Sequence, residues 1–62
     1  MAYPKLVGKR KEKGLSQEEM AKEIGISKNN YYLKETGKLD FGLSEVRKIL
    51  KILGCTYDEI FL

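Results

Sequence analysis

Lys28 and Asn29 stand side by side, with Tyr32 and Leu33 following at the distance of one helical turn. A lysine ammonium can donate to O6 and N7 of guanine, and an asparagine amide can make a bidentate contact with adenine. Leu33 has the apolar surface to meet a thymine methyl, and Tyr32 has the reach for a phosphate or a base edge. Ser16, Gln17, Thr36 and Lys38 offer hydroxyl, amide and ammonium groups of the kind that contact a phosphate backbone. Catalytic chemistry is poorly supplied by comparison. The chain has no histidine and a single cysteine, Cys55, so it holds no zinc ligand set and no thiol–imidazole pair. It also lacks a phosphate loop and any paired carboxylates in a plausible cleft. An enzyme is therefore not expected, and no cofactor, metal or small-molecule substrate is implied.

These side chains have to be positioned by the stretch from Ser16 to Gly37, SQEEMAKEIGISKNNYYLKETG. Ser16 is suited to cap a helix, and Glu19 three residues on completes a capping box, with Leu15 and Met20 as a hydrophobic staple. Gly25 tolerates positive φ and ends that helix after Ile24. Ser27 then caps a second helix, with Ile26 and Tyr31 at the staple positions. The pattern predicts helices over about Gln17–Ile24 and Lys28–Glu35 with a tight turn between them. Ala21 lies where the second helix must cross the first, and its small side chain lets the axes approach. A plain antiparallel helix pair within a bundle would meet the same local signals.

The ordered set over these twenty-two residues resembles the helix-turn-helix of the phage-repressor (Cro/repressor, XRE-type) family. The family's alanine falls on Ala21, its turn glycine on Gly25, and the hydrophobic residue after that glycine on Ile26. A Gln at the start of the first motif helix falls on Gln17, and the closing Glu-x-Gly falls on Glu35 and Gly37. The closing segment CTYDEIFL is similar to the family's last helix, so the resemblance spans residues 5 to 62. It implies an all-α, compact five-helix bundle whose third helix enters the major groove of double-stranded DNA. The implied base contacts are Lys28, Asn29, Tyr32 and Leu33. The implied phosphate contacts are Ser16, Gln17, Thr36, Lys38 and Arg10, with the amides at the start of the second helix as a further anion site.

The resemblance also implies a structural ion pair between Arg10, near the end of the first helix, and Glu35. A partly buried pair of this kind loses more when one partner is removed than when both are, whereas two exposed charges would be worth under about 1 kcal/mol. Two positions depart from the family pattern. Lys34 stands where an apolar residue is usual, and Tyr31 replaces a Val or Ile. Either Tyr31 fills the space while Lys34 lays its methylene stem over the core with its ammonium in solvent, or the helix is rotated and Leu33 turns inward.

The remaining chain supplies the frame. Pro4 suits the first turn of a helix running to about Lys13, with Leu6, Val7 and Arg10 on its inner stripe and Lys9, Lys11 and Lys13 outside. Gly8 inside it costs about 1 kcal/mol relative to alanine unless close packing requires it. Leu39 and Phe41 are expected to turn inward. A fourth helix over about Leu43–Leu53 should bury Leu43, Val46, Ile49, Leu50 and Leu53, and a short helix capped by Thr56 should return Ile60 and Phe61 to the bundle.

With 62 residues the chain reads as one small domain that buries about 60% of its unfolded surface. Net charge is +3, and its distribution matters more than its size: residues 1–38 carry nine basic against five acidic side chains, residues 39–62 three against four. One basic half fits a polyanionic partner. No apolar run approaches the ~20 residues of a membrane span, and no signal peptide is recognisable, so a cytoplasmic location and no membrane partner are expected. Ile52, Tyr57 and Leu62 exceed what this core needs and suit a two-fold contact. The expectation is a sequence-specific transcription regulator, acting as a repressor and as a homodimer on a pseudo-palindrome. The alternatives are an antitoxin-like or other protein-interaction module on the same fold, and a helical scaffold without DNA binding.

Overall fold

The computed structural model describes residues 2–62. Five helices follow one another: α1 (Pro4–Glu12), α2 (Gln17–Ile24), α3 (Lys28–Glu35), α4 (Leu43–Leu53) and α5 (Tyr57–Phe61). The described residues contain no strand. Each helix starts where its local chemistry allows. Pro4 occupies the first turn of α1. Ser16 and Glu19 form the reciprocal capping box of α2, with Ser16 Oγ accepting from Glu19 N at 3.0 Å and Glu19 Oε1 accepting from Ser16 N at 2.9 Å. Ser27 Oγ accepts from Asn30 N at the start of α3, and Thr56 with Glu59 repeats the box at α5.

Helix α1 ends at Glu12, with Lys13 as its cap, one residue short of the expected end. The turn between α2 and α3 depends on Gly25 at φ 80°, a conformation that would strain any side chain there. Its amide and that of Ile26 bond back to Lys22 and Ala21 carbonyls, which satisfies the end of α2.

The core is built from Leu6, Met20, Ala21, Ile24, Tyr31, Ile49, Leu53 and Ile60. Each large aliphatic side chain in it contributes roughly 1.5–3 kcal/mol of burial. Ala21 is buried in α2, which packs against α3. A second cluster ties the chain ends together. Tyr3 meets the edge of Phe61 at 5.2 Å between centroids, Phe61 meets Phe41 at 5.8 Å, and Phe41 meets Tyr31 at 6.0 Å. Edge-to-face pairs at such distances add about 0.5–1.5 kcal/mol each beyond burial.

Several expectations need correction. Leu43 is 70% exposed: at the first position of α4 it precedes the part of the helix that crosses the bundle, so its place in the apolar stripe does not bury it. Leu39 is also exposed, because the connection is anchored inward by Phe41 instead. Gly8 is not a close-packing site, since an added Cβ would meet nothing within 4 Å. Val7 is half-buried, as is Lys9, which lies 4.0 Å from Glu12. Ile52 packs partly against the core, unlike the exposed Tyr57 and Leu62.

Candidate nucleic-acid interface

Helix α3 has two unlike faces. Tyr31 and Glu35, one turn apart, point inward and are buried. Lys28, Asn29 and Tyr32 are exposed, and Leu33 is half-buried. Asn30 is exposed beside them. Its backbone N–H donates to Ser27 Oγ at 3.2 Å.

The inward face is held by a polar cluster beneath α3. Arg10 Nε donates to Glu35 Oε2 at 3.0 Å and Nη2 to Oε1 at 3.3 Å, while Nη1 donates to the Leu15 carbonyl at 2.8 Å. Tyr31 Oη donates to Glu35 Oε2 at 2.6 Å, and Gln17 Nε2 to Oε1 at 3.0 Å. One carboxylate thus joins α1, α2 and α3. Arg10 is only 6% exposed and Glu35 3%, so both charges have left water and depend on these partners. Burial pushes the Glu35 carboxyl up, but hydrogen bonds from Arg10, Tyr31 and Gln17 outweigh it and hold it below the usual carboxylate range. Burial first, and then donation to the anionic Glu35, pushes the Tyr31 phenol well above its ordinary value. The roles of Gln17 and Tyr31 in this cluster were invisible in the sequence, where Gln17 read as a phosphate contact and Tyr31 as apolar filling.

The other residues with polar heads differ in what they keep free. Ser16 Oγ accepts from Glu19 N, which leaves its own proton for a further acceptor. Gln17 commits one amide hydrogen to Glu35 and retains another. Thr36 Oγ1 donates to the Tyr32 carbonyl at 2.9 Å, so its single proton is used within the helix end. Arg10 directs three nitrogens into the protein. Lys38 is exposed on the connection after α3. A shallow groove lined by Lys11, Gln17, Tyr32 and Thr36 lies over the Arg10–Glu35 pair.

The structure shows how the two departures from the family pattern are accommodated. Tyr31 fills the interior and reaches Glu35 with its hydroxyl. Lys34 is half-buried, yet its ammonium is not left to solvent: Nζ lies 2.6 Å from Glu45 Oε1. No helix among the described residues is long and apolar enough to cross a membrane.

The comparisons with known proteins agree with this geometry. The sequence model of the helix-turn-helix family matches residues 9–60. An uncharacterized HTH-type transcriptional regulator of Methanocaldococcus jannaschii is 38% identical over 48 residues, covering 77% of this chain and 73% of that protein. No solved structure matches. With Ala21 buried in α2, Gly25 in the turn and Lys28, Asn29 and Tyr32 exposed on α3, the chain belongs to the phage-repressor (XRE-type) helix-turn-helix family of DNA-binding transcription regulators.

Proposed function

We propose that this protein is a sequence-specific repressor that binds double-stranded DNA as a homodimer, with α3 of each copy in the major groove. The observation that carries the reading is the exposure of Lys28, Asn29 and Tyr32 on a helix that is locked in place through the buried Tyr31 and Glu35. A helix fits the major groove, and residues near its N-terminus meet base edges. Lys28 and Asn29 read bases, Tyr32 reaches the flanking edge or phosphate, and Leu33 adds an apolar contact from the side of the helix. Ser16, the free amide hydrogen of Gln17 and Lys38 hold the phosphates. Arg10 and Thr36 act behind them, by fixing Glu35 and closing the end of α3.

One α3 reads only a few base pairs, so useful selectivity needs two copies on a pseudo-palindrome with half-sites about 34 Å apart. The exposed Tyr57 and Leu62 on the α5 end supply apolar surface for the two-fold contact. Bound in this way across a promoter in the cytoplasm, the dimer represses by excluding polymerase. Selection of bound oligonucleotides from a random duplex pool tests the reading. The expected outcome is two inverted half-sites one helical turn apart; a pool that shows no enrichment would refute it.

A further inference from the structure

Glu45 uses one oxygen twice. Its Oε1 accepts from Lys34 Nζ at 2.6 Å and from Gly42 N at 2.8 Å. Lys34 lies in the last turn of α3, and Gly42 is the residue that precedes α4. A single carboxylate therefore closes both ends of the connection 36–42. Both side chains are largely shielded, at 16% and 15% exposure, which separates this bridge from exposed ion pairs that contribute little.

The connection has two further kinds of anchor. On the α3 side, the amides of Lys38 and Leu39 bond to the Leu33 carbonyl at 2.9 and 3.2 Å. On the α4 side, Phe41 enters the aromatic cluster. Lys38, Leu39 and Asp40 between them are exposed. Gly37 at φ 87° makes the sharp turn, and a Cβ there would meet Ala2 Cβ at 2.6 Å.

We propose that Lys34 and Glu45 are a positioning pair, clamping the connection between α3 and α4 so that Lys38 is presented to the DNA backbone. The proposal rests on the reading that α3 enters the major groove. Neither residue touches DNA; they act through the segment they bracket. Through this carboxylate, Lys34 ties α3 to α4. Lys48 lies close enough to act on the same carboxylate, so Glu45 keeps a cation nearby when Lys34 is removed.

The test compares the wild type with Lys34→Met, Glu45→Gln and the double variant. Methionine keeps the stem of Lys34 and removes its charge. Glutamine keeps an acceptor for Gly42 N, so α4 retains its start. In the free proteins, the amides of Lys38 and Leu39 should exchange with solvent about tenfold faster in each variant, with helical circular dichroism unchanged. On DNA, each single variant should bind every sequence about fivefold more weakly, and the double variant no more weakly than either single one. Unchanged exchange at Lys38 and Leu39 would overturn the clamp. So would an effect of Lys34→Met on DNA alone, with the salt slope reduced by about one and Glu45→Gln silent, because Lys34 would then itself contact a phosphate. Failure of the wild type to bind any duplex would instead break the groove reading, and the exchange result would still decide the clamp.

Discussion

Helix α3 buries the side chains of Tyr31 and Glu35 and exposes those of Lys28, Asn29 and Tyr32, and the two sets are treated oppositely by the rest of the molecule. The inner carboxylate receives hydrogen bonds from three side chains on three helices. The outer side chains enter none of the hydrogen bonds or ion pairs found among the described residues, although they belong to the same two turns. An inner face this constrained fixes the position and rotation of the helix. The exposed set is then free to vary in chemistry without disturbing the fold, as the proposed reading of DNA sequence requires. Substitutions inside should change stability, and substitutions outside should change selectivity.

The largest expected effect tests the inner face. Glu35→Ala leaves the Arg10 guanidinium buried without its counter-charge and should cost about 3–5 kcal/mol in chemical denaturation. For a domain of this size that is enough to unfold much of the population. Arg10→Met combined with Glu35→Leu should cost less than Glu35→Ala alone. If the double substitution were the worse of the two, the charges would be stabilising the fold outright rather than requiring each other.

Tyr31→Phe should come next, with a loss of about 1.5–3 kcal/mol, since the hydroxyl donates to a charged acceptor. It also separates two limbs of the pH dependence. The Glu35 carboxyl is held below its ordinary value, so its contribution is complete above about pH 4.3 and is lost as the pH falls through the folded value. The Tyr31 phenol is shifted upward, so its contribution is complete below about pH 10 and is lost as the pH rises beyond that. Stability measured against pH should therefore fall on both flanks, and Tyr31→Phe should remove this residue's share of the alkaline fall. Gly8→Ala is the smallest change: with open space for the Cβ, it should stabilise the protein by about 0.5–1 kcal/mol through α1 and leave DNA binding untouched.

The sequence disclosed most where the physics is local. Ser16 with Glu19, Gly25 and Ser27 each act within four residues, and together they mark the start, end and restart of the two motif helices. Long-range packing was harder to see. Tyr3, Phe41 and Phe61 have no common period along the chain, and only the return of α5 to the N-terminus brings their rings together. Leu43 shows a different limit: the apolar stripe of α4 is real at Ile49 and Leu53, but periodicity does not tell where a helix leaves the bundle. Glu45 was readable in principle as the second half of a capping box around Gly42. Glycine offers no side chain to complete the signature, and the pairing with Lys34 depends on how α3 and α4 meet. Gln17 hydrogen-bonds to Glu35 from another helix, and its sequence neighbours give no reason to look for that inward contact.

The measurement that bears most directly on this account is a comparison of Lys28→Ala and Asn29→Ala with the wild type across a panel of duplexes that vary one base pair at a time in the selected site. Each variant should retain wild-type unfolding while losing about 1–3 kcal/mol of discrimination at the base pair its side chain reads. Full discrimination by both variants, with the fold intact, would contradict the assignment of α3 as the helix that reads DNA.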